Sequence, residues 1–308
     1  MPGKDKAITC RPARPEDTPD VLELTSRIWE GEDYVPEAWK SWLADPVGRL
    51  AVAERAGRVL GLGKLTRLLP GQWWLEGLRV HPDFEGHGIA SRLHEYLLDL
   101  WEKEYEGVLR LATASFRLPI QHLCERTGFD QVGEYSIFIA PPLQELVESF
   151  HPVRIEEIES ASRFVDSSPA LELQFGMMDL GWEWVTPQPL ALQDAARREQ
   201  LLWWHAPHKG LVSLREDEDA EQGHRLQIQL LVCDPPQLTD CLLDVRRLAS
   251  CKGYSKARWI APLQPQLLPT LEKSGFERDW DASLYIYAKQ HPERPFERLS
   301  SDRRMPMV

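Results

Sequence analysis

Two short segments of this chain resemble each other at a spacing of about half its length. Glu125-Arg126-Thr127-Gly128-Phe129 aligns with Glu272-Lys273-Ser274-Gly275-Phe276 at an offset of 147 residues, and Val80 aligns with Val232 at an offset of 152. Both segments end a helix pattern that follows a strand, a helix and another strand. Because similar segments in the same order at a nearly constant offset indicate an internal duplication, the 308 residues are predicted to contain two copies of one α/β unit.

Hydrophobic periodicity and turn residues predict the elements of each copy. For the first copy they are Ala7–Arg11, a helix from Thr18, Glu37–Leu43, Leu50–Arg55, Val59–Leu69, Trp73–Val80, Ile89–Trp101, Val108–Ala114, Pro119–Thr127 and Tyr135–Ala140. For the second they are Leu226–Cys233, Leu238–Ser250, Ala257–Ala261, Gln266–Lys273 and Leu284–Ala288. The polar run Arg215–Gly223 is predicted to be a solvated hairpin loop, and the tail from Pro292 to be poorly ordered or draped over the surface.

Composition excludes several classes of protein. The chain carries 48 acidic against 36 basic residues, a net charge of −12, which argues against a nucleic-acid partner. No apolar run reaches the roughly 20 residues that a membrane helix needs, and no signal-peptide pattern is present, so we expect no membrane partner and a cytoplasmic protein. The 5 cysteines include no CxxC pair, so neither a disulfide framework nor a metal site is expected. The oligomeric state stays open.

The stretch from Leu78 to Ala90 carries the clearest functional pattern. A strand ends at Val80, the loop Glu85-Gly86-His87-Gly88 follows, and an amphipathic helix starts at Ile89. Glycines allow positive φ and close approach of the backbone to a ligand, and free N–H groups at a helix start attract a phosphate. The pattern therefore favours a phosphate-binding loop, with an ordinary strand-to-helix turn as the alternative.

With this loop, the order of elements over about residues 6–140 resembles the GCN5-related N-acetyltransferase (GNAT) family. The family signature is Arg or Gln, two residues, Gly, one residue, then Gly or Ala; Gly88 and Ala90 match it, whereas Glu85 stands where Arg or Gln is usual. Glu32-Asp33-Tyr34-Val35-Pro36 and the segment 74–82 resemble the histidine N-acetyltransferase-like branch, whose members share this tandem length. The resemblance implies a mixed α/β sheet in a tandem GNAT fold.

The resemblance also implies a cofactor site for acetyl-CoA, without a metal. The backbone of Leu78 and Val80 would contact the pantetheine and thioester, and the pyrophosphate would lie over Glu85, Gly86, His87, Gly88, Ile89 and Ala90. Arg117 stands where the family often has an Asn that contacts the cofactor.

Two residues are candidates for acid–base chemistry. Strict strand alternation places four residues on one face: Trp74, Glu76, Leu78 and Val80. Members of the resembled family carry a catalytic carboxylate or histidine near the position of Glu76. Glu76 is therefore predicted to be the general base, acting through water. The alternative is a structural carboxylate. In Leu123-Cys124-Glu125-Arg126-Thr127-Gly128-Phe129, Cys124 occupies the position of the family's acidic tyrosine. It is predicted to be either the general acid or a buried side chain that fills a small hole.

The acceptor pocket implied by the resemblance lies between the first helices and the central strands. The residues predicted to line it are Trp29, Asp33, Tyr34, Trp39 and Trp74, and a carboxylate among aromatic rings would suit a cationic amine or an imidazole. The alternative is that Trp29 and Trp39 belong to the core.

The two copies are assigned different roles. Residues 1–145 are predicted to form the catalytic domain, and residues 146–308 a degenerate copy, because Asp234-Pro235-Pro236-Gln237 replaces the glycine loop and proline lacks the N–H donor. The predicted function is acetyl transfer from acetyl-CoA to the primary amine of a small molecule such as an amino acid. The alternative is an acetyl-CoA-binding sensor or scaffold without turnover.

Overall fold

A computed structural model describes residues 7–205, 208–219 and 223–297. Four helices lie in the chain up to Arg126: α1 (Thr18–Thr25), α2 (Val35–Ala44), α3 (Ile89–Glu104) and α4 (Leu118–Arg126). Six strands begin in the first 130 residues: β1 (Thr9–Pro12), β2 (Arg49–Arg55), β3 (Arg58–Leu69), β4 (Gln72–Val80), β5 (Val108–Ala114) and β6 (Asp130–Ala140). All the elements predicted for the first copy are present, with ends that differ by a few residues.

The later part of the chain contributes a second set of elements. Its strands are β7 (Phe150–Pro152), β8 (Met178–Asp179), β9 (Trp184–Val185), β10 (Leu201–Trp204), β11 (Gly210–Asp219), β12 (Gly223–Cys233), β13 (Lys256–Pro262), β14 (Glu277–Arg278) and β15 (Leu284–Gln290). Its helices are α5 (Ile158–Ser167), α6 (Pro169–Glu172), α7 (Pro189–Arg197), α8 (Leu238–Cys251) and α9 (Leu268–Lys273). The five elements predicted for the second copy are all present.

The described residues divide into two compact units. Unit 1 comprises 7–111, 119–130 and 288–297; unit 2 comprises 112–118 and 131–287 apart from the two gaps. Strand β6, which the sequence analysis assigned to the first copy, groups almost entirely with unit 2 and pairs there antiparallel with β13; the division after residue 145 stays a prediction. Pairing between strands so far apart in the chain leaves no trace in local periodicity. The functional assignment of the two halves stays a prediction.

Unit 1 is built on a mixed sheet. Strands β1, β2, β3 and β4 pair antiparallel in that order, and β5 joins β4 in parallel, which confirms the predicted mixed α/β class. Helices α1 and α2 close one small core with β2 and β3; its members are Val21, Leu24, Val35, Trp39, Val52, Val59 and Leu62. Helix α3 packs on β3, where an added Cβ at Gly61 would lie 3.0 Å from Ile89 Cγ2. The glycine therefore allows close packing of helix and strand.

Unit 2 repeats the mixed pattern. Strands β10, β11 and β12 pair antiparallel, and β12 pairs in parallel with β13. The predicted hairpin over 215–223 has a shorter loop than expected, because 215–219 extend β11 and pair with β12; residues 220–222 lie outside the described chain. Asp217 forms ion pairs with the buried Arg225 and Arg258, and such partners on neighbouring strands allow a charged run to form a strand. In the predicted tail, residues 292–297 are described and mostly exposed, and 298–308 lie outside the description.

Candidate active site

A β-bulge in β4 determines which side chains share a face in unit 1. Lys64 on β3 lies opposite Glu76, and Leu62 lies opposite Arg79, so two residues of β4, Gly77 and Leu78, face Gly63 alone. Such a two-against-one arrangement interrupts the alternation of side chains. Gly77 has φ +62°, a left-handed conformation that glycine adopts without strain.

The bulge corrects the predicted face of β4. Lys64 and Leu62 are two residues apart and share a face, so their partners Glu76 and Arg79 share it too. Leu78 lies on the other face, where an added Cβ at Gly63 would approach its Cδ1 to 3.7 Å. Val80, opposite Gly61, lies on that second face as well. The prediction that Glu76, Leu78 and Val80 share one face was wrong, because the extra residue reverses the alternation after Gly77.

Glu76 is a half-buried carboxylate held from β3. The hydroxyl of Thr66 donates a short hydrogen bond to Glu76 Oε1. Burial raises the pKa of Glu76 above its usual value, and the Thr66 hydrogen bond and the charge of Lys64 oppose the rise. Lys64 is 1% exposed and forms an ion pair with Asp45, so its charge is largely compensated. The net effect is a carboxylate that takes up a proton more readily than an exposed one.

Arg79, which the sequence analysis did not single out, forms a two-point ion pair on this face. Its Nε and Nη2 donate to the two carboxylate oxygens of Asp33 at 2.9 and 3.0 Å, and its Nη1 donates to Leu78 O at 3.3 Å. The Asp33 side chain is 0% exposed. Asp33 therefore has its charge compensated by Arg79, which disfavours the predicted role of a free carboxylate that attracts a cationic amine.

Aromatic rings surround this ion pair. The Arg79 guanidinium lies 4.4 Å from the ring centroid of Trp29 and 5.3 Å from that of Tyr34. Trp29 and Tyr34 are 48% and 43% exposed, so they form a surface wall, and desolvation of the Tyr34 hydroxyl raises its pKa to about 12. Trp74 is buried at 4% exposure opposite Thr66, on the face of Glu76. The structure thus groups Trp29, Asp33 and Tyr34 around Arg79 and places Trp74 and Glu76 on the same face of β4 as Arg79; their role as an acceptor site stays a prediction.

The glycine loop has the geometry of an anion cradle. Gly86 and Gly88 have φ of +76° and +73°, and an added Cβ at either glycine would meet nothing within 4 Å. Gly88 is the N-cap of α3 and supplies no side-chain cap, so the first N–H groups of this helix, at Ile89 and Ala90, have no capping side chain. Glu85 and His87 are exposed, and the His87 ring contacts Glu85 O at 2.9 Å. Open space above uncapped amides at the positive end of a helix suits a phosphate.

A buried histidine anchors the start of this loop. His81 is 0% exposed, and its Nδ1 accepts a hydrogen bond from Asp83 N at 3.2 Å. Arg27 from the end of α1 holds the Asp83 carboxylate with two bonds of 2.7 and 2.8 Å. The chain is therefore tied down between β4 and the glycines, which positions the loop over α3.

The corresponding connection in unit 2 has a different form. A 3-10 turn, Pro235–Gln237, follows β12 and leads directly into α8 at Leu238, whereas four residues separate the 3-10 turn Pro82–Phe84 from α3. Neither Pro235 nor Pro236 has an N–H to donate. The amide of Gln237 is already bonded to Asp234 O at 2.8 Å. This connection therefore lacks the glycine loop and offers fewer donors than its counterpart in unit 1.

The two remaining predicted residues, Cys124 and Arg117, differ in burial. Cys124 is 0% exposed, and burial raises the pKa of its thiol to about 12, which favours the packing interpretation over the general acid. Arg117 is exposed and groups with unit 2, so its contact with a cofactor stays a prediction. Among the described residues, no group of three or more His, Cys, Asp or Glu is placed to hold a metal ion.

Arg79, Lys64, Thr66 and Asp45 were missed by the sequence analysis, although one signal was present. Lys64 interrupts an otherwise apolar run on β3, and a buried lysine requires a partner. Arg79 gave no comparable signal, because strict alternation placed it on the opposite face from Glu76. Within the described chain, none of the helices has the length and apolar character needed to cross a membrane.

Comparison with known proteins gives a consistent result. Residues 18–129 match the acetyltransferase (GNAT) family. Probable N-acetyltransferase 16 of Homo sapiens is 36% identical over 90 residues, which are 29% of this chain and 24% of that protein. Histidine N-acetyltransferase of Oreochromis niloticus is 30% identical over 122 residues, 39% of this chain and 32% of that protein. The matched segments thus span about a quarter to a third of these curated relatives.

A solved structure extends the likeness to the rest of the chain. A tandem GNAT protein from the clavulanic acid biosynthesis pathway superposes with a TM-score of 0.58 and 12% identity, covering 92% of this chain and 99% of that one. At this identity the likeness concerns the fold alone, and it confirms the predicted fold class.

Proposed function

We propose that this chain, whose residues 18–129 match the acetyltransferase (GNAT) family, is an N-acetyltransferase that moves an acetyl group from acetyl-CoA to the primary amine of a small molecule. The observation that carries the proposal is the bulge at Gly77. It places Glu76 on the same face as Arg79, beside the rings of Trp29 and Tyr34. Leu78 and Val80 lie on the opposite face, which packs toward α3. We place the acceptor on the face of Glu76 and the cofactor along the edge of β4 beyond Trp74, toward the glycine loop.

The loop residues fit the pyrophosphate of acetyl-CoA, which supplies an activated thioester when bound. The open space over Gly86 and Gly88 and the uncapped amides at the start of α3 would hold the phosphates. Arg126 donates to Ser91 Oγ at 3.2 Å, which adds a positive charge near the first turn of α3. The exposed position of Glu85 lets its carboxylate turn toward solvent, so the departure from the family signature is compatible with the cradle.

The strand offers further donors to the same cofactor. Among the described residues, β4 pairs with β5 only as far as Trp74 and Arg110, although β4 continues to Val80. The backbone of Leu78 and Val80 is therefore available to an extended ligand along this edge. The bulge also releases one backbone group of β4 from the ladder, and we assign the N–H near Leu78 to the oxyanion formed when the amine attacks the thioester carbonyl.

Glu76 is the proposed general base. An amine acceptor is an ammonium ion at neutral pH, and a carboxylate whose pKa is raised by burial accepts its proton, directly or through one water. The Thr66 hydrogen bond fixes the carboxylate toward the site. The buried thiol of Cys124 is proposed to fill the core, and the second copy to take no part in binding acetyl-CoA, given its proline-containing connection.

A thiol-release assay with acetyl-CoA and a panel of amines tests the proposal. L-histidine comes first in the panel because relatives are named histidine N-acetyltransferases, followed by other amino acids, small amines and polyamines. We expect Glu76→Gln to lower kcat by roughly 10²–10⁴-fold, with a smaller loss at high pH, where the amine is already deprotonated.

Glu106→Gln is the matched control, since Glu106 is an exposed carboxylate of unit 1 outside the site. Normal turnover by Glu76→Gln at neutral pH would refute the base assignment. Tight acetyl-CoA binding without release of thiol for any amine would refute the transferase and favour the sensor or scaffold.

A further inference from the structure

We propose that Arg79 binds the carboxylate of the acceptor, so that the acceptor is a free α-amino acid and not a simple amine. The inference rests on the proposed function, and it goes further by assigning a substrate class to a residue that neither the sequence pattern nor the family signature indicates.

The placement of Arg79 comes from the bulge. Glu76 and Arg79 share a face of β4, about 7–10 Å apart along the strand at the usual rise per residue. The amine and the carboxylate of an α-amino acid are separated by one carbon. A single α-amino acid can therefore place its amine toward Glu76, through a bridging water, and its carboxylate toward Arg79.

The guanidinium is held in one orientation before any ligand arrives. Asp33 takes two of its N–H groups, and the rings of Trp29 and Tyr34 lie against its faces at 4.4 and 5.3 Å. Because the Asp33 carboxylate is 0% exposed, separating it from Arg79 would leave a buried charge without its partner, which is strongly unfavourable. A planar guanidinium fixed in this way loses little rotational freedom when it binds a second carboxylate.

The guanidinium also keeps donors for a ligand. It has five N–H groups, and within the described residues three are engaged: two by Asp33 and one by Leu78 O. One N–H thus remains on each terminal nitrogen, and two such donors match the two oxygens of a carboxylate. The Arg79 side chain is 13% exposed, so the remaining edge can be reached, while Trp29 and Tyr34 offer exposed rings to the side chain of the amino acid.

The experiment compares amino acids with the amines that lack their carboxylate. Acetyl transfer is measured for L-histidine against histamine and for L-tyrosine against tyramine, with wild type, Arg79→Lys, and the control Arg67→Gln. Arg67 is an exposed arginine on the neighbouring strand β3, so the control removes a charge without touching the site. Arg79→Lys keeps a charge for Asp33 but loses the planar fork, and thermal unfolding of each variant checks that it folds.

We expect the wild type to prefer the amino acid in each pair, and Arg79→Lys to reduce that preference in kcat/KM by roughly 10- to 100-fold, the effect of one charge-assisted carboxylate contact. The control should retain the preference. Equal use of histidine and histamine by the wild type, or an equal loss for both members of a pair in Arg79→Lys, would overturn the proposal, because a purely structural role affects both substrates alike.

Equilibrium binding separates this inference from the proposed function. Calorimetric titration with L-histidine and with histamine measures acceptor binding without any turnover. Carboxylate-dependent binding that is lost in Arg79→Lys supports the assignment even if no acetyl transfer occurs. Turnover of amines with no carboxylate dependence in binding or kinetics would leave the transferase standing and refute the role of Arg79.

Discussion

Replacing Gly77 by alanine should destabilise the protein, because the new methyl group would clash with Trp42 in a strained backbone conformation. An alanine Cβ at this position would lie 2.5 Å from Trp42 Cη2 and 2.8 Å from Trp42 Cζ3, and the backbone φ of +62° is unfavourable for any residue with a side chain. The left-handed conformation costs about 1–2 kcal/mol, and overpacking against a large ring costs about 1–3 kcal/mol more. Gly77→Ala should therefore lower the free energy of unfolding by about 2–5 kcal/mol.

The two contributions can be separated with a double-mutant cycle. Trp42→Leu removes the ring that the new methyl group would contact, so it should relieve the overpacking and leave the backbone strain. By itself Trp42→Leu should destabilise the protein by about 1–2 kcal/mol, because it removes part of a half-buried apolar side chain. Combined with Gly77→Ala it should cost about 1–3 kcal/mol less than the sum of the single changes.

Urea denaturation gives the free energies, with the m-value checked for constancy among the variants. Arg79 and Glu76 would also lose their common face if the strand returned to regular pairing, so acetyl transfer should fall in Gly77→Ala even at temperatures where the protein stays folded. Additive free energies, or a Gly77→Ala variant within about 0.5 kcal/mol of wild type, would show that the bulge does not depend on this glycine.

Two other predictions follow from the loop and from a buried histidine. Gly88→Asp should abolish acetyl-CoA binding in calorimetry, because it places a carboxylate over the glycine loop. The control Gly253→Asp, at a similarly positive φ with equal open space, should leave binding intact. Unchanged affinity in Gly88→Asp would refute the loop assignment. Burial lowers the pKa of His94 from 6.5 to about 4, so between these pH values the unfolded chain binds a proton that the folded chain does not. The free energy of unfolding should fall by about 3 kcal/mol as the pH drops through this window. In urea titrations His94→Gln should remove that slope, and an unchanged slope would assign it to other groups.

Much of the fold could be predicted from the sequence, because the signals are local. The helix over Ile89–Glu104 and the strand over Val108–Ala114 follow from hydrophobic spacing within a few residues. The glycine loop was found for the same reason, since Gly86 and Gly88 act through their own backbone conformation. The duplicated Gly-Phe segments predicted two α/β units before any contact between strands was known.

The candidate site was only partly predictable. The sequence analysis selected Glu76, Trp29 and Asp33, and the structure places all three near one face of β4. The role of Asp33 was not predictable, because its charge is compensated by Arg79, 46 residues away, and periodicity carries no information about such a partner. Cys124 illustrates the opposite case: a motif position suggested chemistry, and burial among core residues favours packing.

The sequence by itself determined which segments become strands, helices and a phosphate-type loop, since those choices depend on residues close together in the chain. Only the tertiary structure decided which side chains meet. One extra residue opposite Gly63 turns Arg79 onto the face of Glu76, and the pairing of β6 with β13 places a strand of the first copy in unit 2. Both outcomes depend on the register between separate strands, and register is set by packing across the sheet and not by the pattern within either strand.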